Sequence, residues 1–161
     1  MIQMIKTVSV YCASSDRIDN VYAKDAETLG RLLGQRGMQV INGAGNIGLM
    51  RVVSDAVLSS GGTVTGVIPG FMVKNGWCHP HLTKLIKTGT MHERKKTMAD
   101  LSDATVALPG GIGTFEELLE IITWKQLGLY NNPVIILNTN NYYAPLFELF
   151  RRATAEKFMR E

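Results

Sequence analysis

The stretch that decides the fold is Ala104-Thr-Val-Ala-Leu108-Pro109-Gly110-Gly111-Ile112-Gly113-Thr114-Phe115-Glu116-Glu117. Ala104 to Leu108 is a short apolar run bounded by a proline, which reads as a buried strand. From Phe115 to Leu127 the apolar residues recur at helical spacing. Glycines between a strand and a helix let the backbone come close to a ligand. The helix start adds unpaired N–H groups and the positive end of the dipole, which suit a phosphate. Thr114 is placed either to cap the helix or to hold the same anion. Thr114 and Glu117 also match the S/T-x-x-E capping box, which explains both residues without any ligand. Glu117 is expected about one turn into the helix, near the anion. A carboxylate beside an anion site marks it as a candidate functional group.

Outward from this stretch, strands and helices alternate. Strands are expected at Lys6–Ala13, Gln39–Asn42, Thr63–Ile68, Ala104–Leu108 and Pro133–Asn138, with a short one at Lys84–Lys87. Helices are expected at Tyr22–Gln35, Leu49–Ser59, Met91–Leu101, Thr114–Leu127 and Tyr142–Met159, and Phe71 to His81 reads as irregular. The strands are nearly continuous in Val and Ile, as strands covered on both faces are. The expected fold is therefore α/β: a doubly wound, mostly parallel, Rossmann-like sheet with helices on both faces, in one nucleotide-binding domain over 1–161. In such sheets ligands bind beyond the carboxyl ends of the strands, where the strand order reverses. Three turns follow strands here and can gather at that edge: Ser14-Ser15, Gly43 to Gly48, and Gly110 to Thr114.

Composition narrows the function. The chain has 161 residues, 45% hydrophobic and 19% charged, with a formal net charge of +3. No apolar run approaches the roughly 18 residues that span a bilayer, and the N-terminus lacks a signal peptide's apolar segment. A cytoplasmic protein with no membrane partner is expected. Two cysteines, Cys12 and Cys78, do not make a disulfide framework, and Cys12 reads as a small buried residue. Without a basic stripe interleaved with aromatics, no nucleic-acid partner is expected. Gly43-x-Gly45-Asn46-x-Gly48 has the spacing of a dinucleotide fingerprint, but it follows the second strand. The next strand ends Gly66-Val67-Ile68-Pro69, without the acid that would hold a ribose 2′-hydroxyl. A mononucleotide fits better. Met91-His92-Glu93-Arg94-Lys95 puts cations at a helix start, against the macrodipole. A solvated basic face is one explanation, and an anionic partner for Arg94 and Lys95 is the other.

These residues together resemble the LONELY GUY family of cytokinin riboside 5′-monophosphate phosphoribohydrolases, formerly labelled lysine decarboxylases. Pro109 to Glu117 matches the family's Pro-Gly-Gly-x-Gly-Thr-x-x-Glu in full, and Met91 to Lys95 matches its Met-His-x-Arg-Lys. The tract Glu116 to Gly128 is also similar. The chain departs from the family at Arg51, where a glycine is usual, and in Phe71 to His81. That loop has no acid and offers Trp77, His79 and His81.

The resemblance implies hydrolysis of the bond between a purine, adenine or an N6-modified adenine, and ribose 5-phosphate. Breaking that bond builds positive charge on the sugar, which a carboxylate stabilises. Glu117 and Arg94 are the catalytic candidates, with Arg94 expected to hold Glu117 ionised. Candidate substrate and phosphate contacts are Lys95, Gly110, Gly111, Ile112, Gly113, Thr114, Glu116, Thr123, Ser14, Gly43, Gly45, Asn46 and Gly48. His92 and Asp103 are possible proton donors to the base. No metal and no cofactor are expected; nothing marks the Schiff-base lysine that decarboxylation would need. The alternative is a nucleotide-binding or carrier protein of the same fold without catalysis. The helix 114–127 is apolar all round, and with the resemblance this implies a homodimer.

Overall fold

The structure, a computed structural model, describes residues 4–160. Its strands are β1 (Thr7–Tyr11), β2 (Gln39–Asn42), β3 (Thr63–Pro69), β4 (Lys84–Thr88), β5 (Ala104–Ala107) and β6 (Val134–Ile136). Its helices are α1 (Asn20–Gln35), α2 (Gly48–Ser59), α3 (Gly70–Lys74), α4 (Met91–Asp100), α5 (Ile112–Gln126) and α6 (Ala144–Ala155). The described residues form one six-stranded sheet in the order β4-β3-β2-β1-β5-β6, with every pairing parallel. The expected α/β Rossmann-like architecture is the one observed.

Side chains alternate across each strand, and the two faces bury separate cores. Val8 and Val10 of β1 and Val40 of β2 face α1 and α2, where they meet Ala26, Leu33, Val53 and Val57. Tyr11 and Ile41, the next residues along, face the other way, toward Met98 of α4 and Leu118 and Ile121 of α5. Strand order runs outward from β1 in both directions, so the chain switches sheet halves between β1 and β5. The loops that leave β1 and β5 must splay to opposite faces, which opens a crevice at their carboxyl ends.

Most boundaries shift by one or two residues, and three differences are larger or bear on the site. The helix expected to start at Thr114 starts at Ile112, with Gly111 as its N-cap and no side-chain cap. Thr114 is thus inside the helix, and the Thr114–Glu117 capping box does not form. Phe71 to His81, read as irregular, opens inside α3. The last helix runs over Ala144–Ala155 and not Tyr142–Met159: a 3-10 turn at Thr139–Asn141 precedes it, and Lys157 at a positive φ of 64° follows its end. No described helix is long and apolar enough to cross a membrane.

Candidate active site

The crevice holds a cavity of about 500 Å³. Each wall comes from a turn after a strand. Cys12, Ala13 and Ser14 follow β1; Gly43, Gly45, Asn46 and Ile47 follow β2; Gly111 to Thr114 follow β5. Met72 of α3 and Trp77 close the β3 side. The turn after β2 is held by Asn42, whose Oδ1 accepts from the Ala44 N–H at 2.9 Å while its Nδ2 donates to Ser54 Oγ at 2.8 Å. That turn puts Ala44 at a positive φ of 62°, a strained position for any residue with a Cβ.

Arg94 and Glu117 are the charged residues among those lining the cavity. Arg94 is buried on α4. Its Nε donates to Val67 O at 2.9 Å and its Nη2 to Gly43 O at 3.0 Å. A Cβ at position 43 would overlap the guanidinium, so only glycine admits this approach. Two carbonyls fix the plane of the fork, Nη1 also reaches Met91 Sδ at 3.9 Å, and one N–H on each terminal nitrogen is left over. Neither Arg94 nor Glu117 takes part in an ion pair among the described residues.

The Glu117 carboxyl is pushed up to about 7. Burial is the largest cause; Arg94 and Lys95 oppose it, and Glu116 and Glu120 add to it. Arg94 was expected to hold Glu117 ionised. It pulls in that direction, but the cost of removing the carboxylate from water is greater. The result is a group that can hold or release a proton near neutrality.

The other expected residues divide. Ser14, Gly43, Gly45, Asn46, Gly111, Ile112, Gly113 and Thr114 line the cavity. Gly110 sits beneath it, packed so closely on Thr114 that a Cβ would overlap the threonine side chain. Gly48 starts α2 and lines a neighbouring groove with Ser15, Asp16 and Arg51. Lys95, Glu116 and Thr123 do not line the cavity. The buried Lys95 ammonium donates instead to Glu116 and to Glu120, the latter at 3.0 Å. Thr123 Oγ1 donates to Leu119 O at 2.7 Å on its own helix. Asp103 lies at the opposite end of the sheet, where it accepts from the Lys6 and Thr7 N–H groups, and His92 is exposed. Neither lines the cavity. Cys12 does, but burial pushes its thiol up, so it stays protonated and is no nucleophile.

Comparison with known proteins places this geometry. The family model described as "Possible lysine decarboxylase" matches residues 50–161. The chain is 42% identical to the cytokinin riboside 5′-monophosphate phosphoribohydrolase of Rhodococcoides fascians, over 96% of this chain and 78% of that one. It is also 42% identical to a probable enzyme of the same name from rice, Oryza sativa subsp. japonica, over 95% of this chain and 69% of the other.

The chain belongs to the LONELY GUY family.

The fold likeness extends to the molybdenum cofactor carrier protein of Chlamydomonas reinhardtii, with a TM-score of 0.71 at 23% identity over 91% of this chain and 84% of that one. At that identity the likeness concerns fold alone. Set against the LONELY GUY pattern, two departures now have positions. Arg51 points away from the main cavity and pairs with Asp55 at 3.4 Å. Trp77 lines the cavity from the acid-free loop. Met50, Ile68 and Met72 also line it and carried no chemical signal in the sequence, because apolar residues at these spacings look like core.

Proposed function

We propose that this protein hydrolyses the N-glycosidic bond of a purine nucleoside 5′-monophosphate, releasing free base and ribose 5-phosphate. One observation carries the reading: a carboxyl tuned to about 7 and an anchored, unpaired guanidinium share a cavity with a helix N-terminus. The N–H groups at Gly111 to Thr114 suit the 5′-phosphate. The names of the relatives at 42% identity support the same chemistry.

The geometry supports the following roles. The C–N bond to the base lengthens and positive charge builds on the ribose ring. The ionised Glu117 stabilises that charge and accepts the proton of a water whose oxygen bonds to C1′. The base nitrogen leaves with the bond's electron pair and takes up a proton from solvent, and Glu117 returns the water's proton to solvent, so that one water is consumed. Arg94, anchored to Val67 O and Gly43 O, favours the ionised form of Glu117 and lies where the sugar and base of the substrate would pass. The carrier alternative has only a fold likeness behind it, whereas Glu117 and Arg94 have no role in it. Incubating the protein with adenosine 5′-monophosphate and assaying free adenine and ribose 5-phosphate tests the reading. Stoichiometric release of both is expected, and binding without release would favour the carrier.

We also read the protein as a homodimer built on α5. Leu119 and Leu127, with Leu129 just beyond the helix, are exposed, and a partner would cover them. Cys12 and Cys78 are unpaired, which fits a reducing cytoplasm.

A further inference from the structure

Residues 75–82 carry an indole to the cavity on a strap with an unusual number of ties. Asn46 N–H donates to Trp77 O at 3.1 Å, and Asn46 Nδ2 donates to Gly76 O at 2.9 Å. Trp77 N–H donates to Met72 O at 3.3 Å, and His79 N–H donates to Ala44 O at 2.8 Å. The His79 side chain is only 3% exposed. Its Nδ1 accepts from the His81 N–H at 3.2 Å, which leaves the proton on Nε2 to be donated to Asp55 Oδ1 at 2.9 Å. The strap is thereby fastened to both the turn after β2 and helix α2. Trp77 itself keeps 50% of its surface accessible while lining the cavity. A large apolar ring held by a fixed backbone and left half open is a surface prepared for a flat partner.

The position of that ring along the cavity says which part of a ligand it meets. The turn after β5 is at one end. The order β3-β2-β1-β5 puts the β3 side three strand spacings away, about 14 Å. That is roughly the reach of an extended nucleoside monophosphate. The β5 end is rich in backbone N–H groups. The β3 end is apolar, with Ile68, Met72 and Trp77, and Arg94 is anchored between β2 and β3. With the phosphate at the N–H groups, the heterocycle falls at Trp77.

We propose that Trp77 is the base-specificity residue of this site, its indole stacking on the heterocycle of the bound nucleotide, and that His79, through Asp55, is the positioning residue that holds the indole there. The inference rests on the nucleotide-hydrolase reading and adds the recognition element for the base. It also accounts for the lack of any acid in this loop: stacking needs a π-face, not a hydrogen-bonding side chain. Aromatic stacking raises affinity about tenfold to a hundredfold per base, and more for a purine than for the smaller pyrimidine ring.

The test is calorimetric binding of adenosine 5′-monophosphate, uridine 5′-monophosphate and ribose 5-phosphate to the Glu117→Gln protein, which keeps the shape of the site without turnover, and to Trp77→Phe, Trp77→Ala and His79→Ala made in that background. Trp77→Ala is expected to weaken adenosine 5′-monophosphate about tenfold or more. It should weaken uridine 5′-monophosphate less, and leave ribose 5-phosphate within about twofold. Trp77→Phe should recover part of the loss, because a smaller ring still stacks. His79→Ala should show the same selectivity for the base-bearing ligand, which a general loosening of the fold would not. Equal weakening of nucleotide and ribose 5-phosphate would overturn the proposal by placing Trp77 at the phosphosugar. No change in either would overturn it by removing Trp77 from the ligand. A Glu117→Gln parent that binds neither adenosine 5′-monophosphate nor ribose 5-phosphate would instead remove the nucleotide-site reading beneath it.

Discussion

Glu117 is where two opposing effects meet. Burial favours its neutral form, Arg94 favours its charged form, and burial prevails. If the ionised form stabilises the cationic sugar, Glu117→Gln should lower turnover about a hundredfold or more. Binding of adenosine 5′-monophosphate should persist, since the shape is kept. The wild-type rate at low substrate should rise with pH through about 7 and the Gln variant should lose that rise, which a pH-rate profile reads. Stability should move the opposite way. The folded carboxyl titrates near 7 against an ordinary 4.5, so between these values the native state holds a proton that the unfolded chain has released. Stability is lost as pH rises through that window. Glu117→Gln should therefore melt above wild type at pH 8, by the equivalent of up to about 3 kcal/mol, and match it near pH 4. An enzyme slowed and stabilised by one substitution is the mark of a functional group held at a structural cost. The pattern Pro109 to Glu117 made the residue legible. The sign of its shift was not, because desolvation depends on what folds over the carboxyl.

At the scale of elements, α4 and α5 form the machinery by facing each other. A close variant of the capping box expected at Thr114–Glu117 occurs instead at the start of α4, with the glutamate reaching one residue before the N-cap. Thr90 Oγ1 accepts from the Glu93 N–H at 3.1 Å, and Glu93 Oε2 accepts from the Gly89 N–H at 2.7 Å. This holds the first turn of the helix that carries Arg94. One residue on, Lys95 crosses to Glu116 and Glu120 of α5. Burial pulls its ammonium down, but the hydrogen bonds to Glu116 and Glu120 outweigh this and hold it above its usual value. Its contribution is thus present through neutral pH and fades only as pH climbs past the unfolded lysine's range. Lys95→Ala should lower the melting temperature, by the equivalent of about 1–3 kcal/mol, because two carboxylates lose their cation. The KM for adenosine 5′-monophosphate should change by less than about threefold, in contrast to Arg94→Ala. Thermal melts and steady-state kinetics on the two variants separate a brace from a ligand contact. The Arg-Lys pair was legible as a cationic cluster. Which of the two faces the cavity was not, since neighbours on a helix point about 100° apart and only the packing says where each direction leads.

At the scale of the whole molecule, distant segments hold the phosphate turn in place. Tyr143 OH donates to Leu108 O at 2.7 Å, and Tyr142 OH donates to Gly110 O at 2.6 Å. Both tyrosines lie just before α6, more than thirty residues along the chain. Among the exposed apolar residues are Leu119 on α5, Leu127 at its C-cap, Leu129 after it and Ile135 on the edge strand β6. An apolar surface of that kind on a helix beside an open sheet edge favours self-association. Light scattering at micromolar concentration should give the mass of two chains. Leu127→Asp should reduce it to one, because the introduced charge would be buried without a partner. A wild type that scatters as a monomer would remove the dimer.

Whatever depends on neighbours along the chain could be read from the residues alone. The parallel α/β class came from strand and helix periods, the glycine turns from their composition, and Glu117 and Arg94 from a short motif. Both periodicity and turn chemistry act over a few residues, so they are written locally. Other features appear only when remote segments meet. The switch point between β1 and β5 brings Cys12 to Ser14 against Gly111 to Thr114. Val67 and Gly43 supply the carbonyls that orient Arg94, Glu116 and Glu120 take up Lys95, and Asp55 fastens His79. Those contacts, and the burial that moves Glu117 to about 7, depend on strand order and on which surfaces lose their water. Neither quantity has a signature in any window of sequence, because each is set by partners tens of residues away.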